Sequence, residues 1–160
     1  QYKGSRFTRI IPNFVVQAVQ IDEDPIVEGI GWSIYGKKFD DETFVVSQNR
    51  PGIIAMANAG RNTNQSPFYI TTVRMLMKCY LANVAYLDKK LVAFGTVLEG
   101  MDVVYMMDRC GTPQGVPKWS WNVTEIMCSR VYIADSGEIK ENELKDSAIP
   151  ESFVPPSLRS

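Results

Sequence analysis

Arg9 is the residue whose type and setting most suggest chemistry. It stands in a run of strand-forming residues at 6–11, where an unpaired charge pointing into a core would be costly. Its side chain therefore either points outward to solvent or serves a function. The chain contains no histidine, which excludes Ser-His and Cys-His nucleophiles, histidine acid–base catalysis and histidine-containing zinc sites. Any reaction at Arg9 must proceed without these groups.

The cysteines give a second indication of chemical setting. There are three, Cys79, Cys110 and Cys128. An odd number without short spacing argues against a disulfide framework and against a zinc site. We expect no metal or cofactor, and a reducing, intracellular compartment is the default.

Charge and hydropathy narrow the range of partners. The formal net charge is -1, so we expect no whole-surface field for nucleic acid. No run approaches the roughly 18 apolar residues of a membrane helix, and the N-terminus has no signal-peptide pattern. We therefore predict neither a nucleic-acid nor a membrane partner. The first residue is Gln1 rather than Met, and we expect a processed chain or part of a longer one.

The elements that must position Arg9 are mostly short strands. Strand-forming runs occupy residues 6–11, 14–20, 53–57, 68–71, 91–97 and 127–134, with turn residues at 12–13 and a polar loop at 58–67. The period changes at 100–110, where Val103, Met106, Met107 and Cys110 fall on one face of a predicted helix that ends at Gly111. The pattern indicates a mainly β fold, a barrel or sandwich with one or two helices. Residues 138–160 are polar and then proline-punctuated, and we predict an extended tail after a domain at 1–137.

Four segments, in order, resemble the cyclophilin family over residues 2–137. They read YKGSRFTRIIP at 2–12; SIYG at 33–36 with Phe39 and DE at 41–42; MANAG at 56–60 continuing through NTN at 62–64 to FYIT at 68–71; and LD at 87–88 with FG at 94–95 and EGMDVV at 99–104. The resemblance implies an antiparallel barrel, eight-stranded in the family and capped by two helices. The two strands and helix that normally precede the first segment are absent, so we expect an incomplete barrel.

The resemblance also implies a reaction, the cis–trans isomerisation of X–Pro bonds. The barrier is high because amide resonance must be broken, but no bond is made and no histidine is needed. As the amide twists, the prolyl nitrogen regains its lone pair, and a fixed guanidinium nearby stabilises the twisted state more than the planar one. By resemblance Arg9 supplies that guanidinium, and Gln17 orients it and the substrate.

The family's substrate-binding positions carry over to a larger set. Phe14 and Tyr69 match pocket aromatics, and Asn58 matches a residue whose backbone pairs with the substrate. The full set implied for binding proline-containing segments is Phe14, Val15, Ala57, Asn58, Ala59, Tyr69, Tyr86, Leu87 and Leu91.

Several of these positions depart from the family pattern. Val15 replaces a methionine, Tyr69 a phenylalanine, Tyr86 a tryptophan and Leu91 a histidine. Outside the set, Pro67 replaces a glutamine, Thr8 a histidine, and residues 18–20 a Gly-Gly-Asp run. The Tyr69 hydroxyl would need a partner in an apolar pocket. We predict reduced or absent turnover.

Two insertions relative to the family, at 73–85 and 116–125, suggest a second role. The latter carries Trp119 and Trp121, and exposed tryptophan is a typical interface anchor; both insertions could instead cover the open barrel. The alternative to a weak isomerase is therefore an inactive subunit of a ciliary or spliceosomal assembly, contacting protein partners through the insertions and tail. Its location would be cytoplasmic or ciliary, near the cytoskeleton.

Overall fold

The computed structural model describes residues 2–19, 33–73, 87–117 and 131–138. These residues form one antiparallel sheet with the strand order β1-β2-β4-β3-β5. The elements are β1 (Arg6–Ile11), β2 (Val15–Val19), β3 (Ile53–Met56), β4 (Phe68–Thr71), β5 (Ala93–Thr96) and a helix, α1 (Met101–Arg109). The expected mainly β, antiparallel architecture is confirmed.

The β1–β2 hairpin shows why local sequence fixes this sheet. Asn13 has a φ of 56°, a left-handed conformation that asparagine tolerates better than most side chains. It follows Pro12, so the turn residues predicted from the sequence do reverse the chain. The two strands then pair from Ile11 opposite Val15 to Arg6 opposite Val19.

The sheet buries a different cluster on each face, because alternate side chains of a strand point to opposite sides. One cluster includes Ile10, Val16 and Ile70 and packs against α1. The other includes Val15, Ile53, Ala55, Tyr69 and Ala93 and packs against the segments near residues 46 and 87–91. The central strands are therefore apolar on both sides, and β3 reads as a continuous apolar run.

The buried face of α1 differs from the predicted one. Val103 and Met106 are 49% and 55% exposed, whereas Val104, Met107 and Asp108 are buried. The prediction was wrong because the true inward face contains a carboxylate. The Asp108 carboxylate accepts hydrogen bonds from the Asn13 N–H and the Thr72 hydroxyl, and this pairing offsets the cost of its burial.

Gly111 does follow the helix as predicted, but for a packing reason. A Cβ at Gly111 would lie 2.6 Å from the Ile10 carbonyl oxygen and 2.8 Å from Pro12 Cδ. Only glycine allows the chain to pass this close to the end of β1.

The sheet is open within the described residues. The Phe7 N–H donates to the Val131 carbonyl, and the Ile10 N–H donates to the Gly115 carbonyl, so irregular segments cover the outer edge of β1. In the described part of the chain, β5 pairs only with β3. This agrees with the expected incomplete barrel.

Three further expectations need comment. The predicted strand at 127–134 is not a strand where it is described, since residues 131–134 form a single bridge at Tyr132. Cys110 is disulfide-bonded, which the odd cysteine count had argued against. The insertions and tail lie outside the described residues, except for residues 73, 116, 117 and 138. No helix among the described residues is long and apolar enough to span a bilayer.

Candidate functional site

A single row of side chains crosses the sheet and carries the predicted catalytic pair. Arg9 lies opposite Gln17, Gln17 opposite Tyr69, Tyr69 opposite Ala55, and Ala55 opposite Ala93. Residues opposite one another in a sheet project from the same face. We call this face, opposite α1, the site face. With strands about 4.8 Å apart, the backbones of Arg9 and Tyr69 are about 10 Å apart, a span that an arginine side chain can partly bridge.

The Arg9 side chain is exposed and lies over Gly115. A Cβ at Gly115 would be 3.0 Å from Arg9 Cγ and 3.3 Å from Arg9 Nε. Gly115 has a φ of 83°, which favours glycine independently of the contact. The described backbone therefore leaves room for Arg9 against residue 115 and keeps its guanidinium accessible, rather than buried within the sheet.

Phe14 is held beside this row by the turn that precedes β2. Its carbonyl accepts a hydrogen bond of 2.9 Å from the Thr72 N–H. The Thr72 hydroxyl donates to Asp108 over 2.6 Å, and the Asn13 N–H donates to the same carboxylate over 2.9 Å. Asp108 thus joins α1, the turn and the end of β4, and it fixes the position of the Phe14 backbone.

Tyr69 forms the floor of the site face, and its hydroxyl has the partner that burial demands. The side chain is 3% exposed, and its hydroxyl donates to Gln48 Oε1. Burial raises the pKa of the Tyr69 hydroxyl well above its ordinary range, an effect that the Gln48 hydrogen bond opposes and the nearby Asp88 charge reinforces. The phenol is therefore neutral, and it serves as a hydrogen-bond donor.

Gln48 connects this floor to the segment that carries Leu87 and Leu91. It is fully buried, and its Nε2 donates to the Leu91 carbonyl over 2.9 Å. The Gln48 N–H donates to the Asp88 carboxylate over 2.7 Å. Tyr69, Gln48 and the 87–91 turn consequently form one connected structure under the predicted pocket.

The 57–59 segment lies at the end of β3 and presents its backbone. The Asn58 side chain is occupied, because Nδ2 donates to Asn64 Oδ1 over 3.0 Å and Oδ1 accepts from the Gly60 N–H. Among the described residues, the main chain of Asn58 makes no hydrogen bond. Its N–H and C=O therefore remain available to an extended peptide.

Most of the sequence-predicted site residues come together. Phe14, Ala57, Leu87 and Leu91 all pack against the cluster that holds Val15 and Tyr69. Arg9 and Gln17 adjoin it through the cross-strand row. Ala59 is exposed at the edge, with its N–H bonded to Thr63 Oγ1 over 3.0 Å. Tyr86 lies outside the described residues. The role of each residue stays a prediction; what the structure gives is their common location.

Four supporting residues were missed. Gln48, Asp88, Asp108 and Gly115 support Tyr69, the 87–91 turn, Phe14 and Arg9 respectively. No local pattern marks Gln48 or Asp108, since each contacts residues at least 21 positions away along the chain. Gly115 follows a Thr-Pro-Gln turn signal, which indicated a glycine of structural use but not its neighbour.

The shared location and the four sequence segments point to one family, and a family comparison agrees. The model described as cyclophilin type peptidyl-prolyl cis-trans isomerase/CLD matches residues 1–131 of the 160 in the chain. The match includes all the described strands, α1 and every predicted site residue. This chain belongs to the cyclophilin-type peptidyl-prolyl cis-trans isomerase family.

Proposed function

We propose that the chain binds proline-containing segments on the site face and isomerises their X–Pro bonds slowly. The observation that carries this proposal is the row from Arg9 through Gln17 to Tyr69. It aligns an accessible guanidinium, an amide and an apolar floor in the order that the reaction needs. Cyclophilin domains bind proline-containing peptides, and membership of the family supports the substrate class.

The catalytic role of Arg9 follows from its exposure. A substrate amide above the row would place its nitrogen near an already accessible cation, whose attraction to that nitrogen grows as the amide twists. Gln17, directly across from Arg9, would hold the guanidinium and the substrate backbone. The Asn58 main chain, free of internal bonds among the described residues, would anchor the peptide as an added strand does.

The slow rate follows from altered pocket walls. Val15 is shorter than a methionine, and it is already 5% exposed within the apolar cluster. Leu91 offers no polar group to the substrate. Losing one contact that leaves a polar group unsatisfied costs about 1–3 kcal/mol, and about 1.4 kcal/mol is tenfold in rate. Two such losses would reduce turnover by about two powers of ten.

The test is a protease-coupled isomerisation assay on an Ala-Pro peptide with the intact chain. We expect measurable acceleration that Arg9→Ala abolishes. The matched control is Arg6→Ala, an exposed arginine in the same strand, which should retain the rate. Equal rates for Arg9→Ala and the unaltered chain would contradict the proposal.

The alternative from the sequence, an inactive interaction subunit, makes a different prediction for the same chain. It predicts peptide or partner binding with no acceleration in the assay. The insertions on which it depends lie almost wholly outside the described residues. A pull-down with and without residues 116–125 addresses it, and unchanged partners would count against that insertion as an interface.

A further inference from the structure

A groove beside the predicted pocket has an apolar floor and a mainly cationic rim. Its volume is about 470 Å³, and its lining includes Leu87, Leu91 and Asn58, which are also predicted to contact substrate. The groove is therefore continuous with the site face. The remaining lining residues are Asp41, Phe44, Gly60, Arg61, Lys89 and Lys90.

The cations outnumber the carboxylate, and the carboxylate is occupied. Asp41 accepts hydrogen bonds from the Asn64 side chain over 2.8 Å and from the Asn62 N–H over 2.9 Å. Its lone pairs are thus directed into the 58–64 loop. In the described residues, Arg61 and Lys89 are exposed and form no salt bridge.

The two sides of the rim are held in place by different turns. Lys89 has a φ of 62° in a turn closed by the Lys90 N–H and the Leu91 N–H, which both donate to the Leu87 carbonyl. Asp88, the neighbouring carboxylate, accepts from Ser47 Oγ over 2.8 Å and from the Gln48 N–H. Its charge is therefore directed away from an incoming ligand and towards the core.

We propose that this groove is an extension subsite that selects proline-containing segments bearing an acidic side chain close to the proline. The occupant is an extended peptide, because the groove continues the surface where the peptide would lie. The acidic side chain complements Arg61 and Lys89, while its methylene groups cover the leucines. This inference rests on the proposed function, since the proline places the acidic residue over the groove.

The test uses labelled peptides with a central Ala-Pro and compares glutamate with glutamine at each of three flanking positions. Fluorescence anisotropy gives Kd for the intact chain. At one position we expect the glutamate peptide to bind about fivefold tighter than its glutamine twin, the scale of an exposed charge contact. The preference should shrink from 0.1 M to 1 M salt as the screening length falls from about 10 Å to about 3 Å.

The decisive variant is Arg61→Gln with Lys89→Gln. It should remove the glutamate preference and leave Kd for the glutamine peptides unchanged. Lys90 is kept because it already has an interaction within the chain. The matched control, Lys3→Gln with Arg109→Gln, removes two exposed cations outside the groove and should keep the preference.

The outcomes separate this inference from the proposed function. Equal Kd values for glutamate and glutamine twins at all three positions overturn the subsite while proline binding stands. A preference that survives the double variant also overturns it. If the glutamine peptides bind no better than versions with alanine in place of proline, the proposed function fails and the subsite fails with it.

Discussion

Among single residues, the Tyr69 hydroxyl shows most clearly how this site is built. It is a polar group within an apolar cluster, and its one recorded partner, Gln48, is itself fully buried. A pair of this kind contributes little net free energy when made, but removing one member leaves the other buried and unsatisfied.

Tyr69→Phe should therefore destabilise the fold, although phenylalanine is the family's usual residue. We expect a loss of about 1–3 kcal/mol, measured by urea unfolding. The control is Tyr35→Phe, since Tyr35 is 70% exposed and its change should cost little. A Tyr69→Phe chain as stable as the original would contradict the role of the Gln48 pair.

The same hydroxyl predicts a pH dependence. Burial raises the folded pKa of Tyr69 above its ordinary value of 10.0, so the unfolded chain loses the proton first as pH rises. The contribution to stability is complete below pH 10 and declines above it. Unfolding free energies between about pH 8 and pH 11 should fall less steeply in Tyr69→Phe than in the original chain. Parallel curves would show that the raised pKa is not coupled to folding.

Gly115 gives a residue-level test of Arg9 placement. Gly115→Ala puts a methyl group against Arg9 Cγ and forces alanine into a φ of 83°. Gly4→Ala imposes a similar strain, at a φ of 82°, with no atom within 4 Å. Both variants should lose about 1 kcal/mol of stability, but only Gly115→Ala should slow Ala-Pro isomerisation. Equal rates in the two variants would mean that residue 115 does not position Arg9.

At the level of secondary structure, α1 is tied to the site through Asp108. The helix packs on the opposite face from Arg9, yet its carboxylate reaches the turn that precedes Phe14. The helix therefore supports one wall of the predicted pocket without contacting it directly.

Asp108→Asn tests this connection. The new amide must set a donor against either the Asn13 N–H or the Thr72 hydroxyl, so we expect a loss of about 1–3 kcal/mol and weaker binding of proline peptides. Asp102→Asn is the matched change on the exposed first turn of the same helix, and it should cost at most a few tenths of this. The account would fail at this point if both variants unfolded at the same urea concentration.

The junction between α1 and β1 depends on Gly111. Gly111→Ala would drive a Cβ into the Ile10 carbonyl, a backbone atom that cannot move without disturbing β1. We expect a loss of about 1–3 kcal/mol in unfolding free energy. Gly137→Ala, with nothing within 4 Å of the new methyl group, is the control, and a similar effect in both would refute the close-packing explanation.

These elements also show what sequence could and could not predict. β1 and β4 were predicted with the bounds observed, because strand formers there are bounded by clear turn residues. The face of α1 was mispredicted because the apolar period pointed to Val103 and Met106, while a buried aspartate holds the inward face. Periodicity carries no information about a partner such as Thr72, which lies 36 positions away.

For the whole molecule, the sheet divides the chain into two unequal functions. One face is covered by α1 and serves stability. The other presents a cation, an amide, an apolar floor and a basic-rimmed groove in sequence across the strands. The family resemblance located this face from sequence, but the supports beneath it required the three-dimensional arrangement, since Gln48 and Asp88 act across loops.

The most direct test of the account is a titration of the isotope-labelled intact chain with a short Ala-Pro peptide, followed by amide chemical shifts. We predict saturable shifts at Arg9, Gln17 and residues 57–59, with residues 102–108 of α1 little changed. Shifts concentrated on α1, or no saturable shift on the site face at any peptide concentration, would contradict the claim that proline segments bind there.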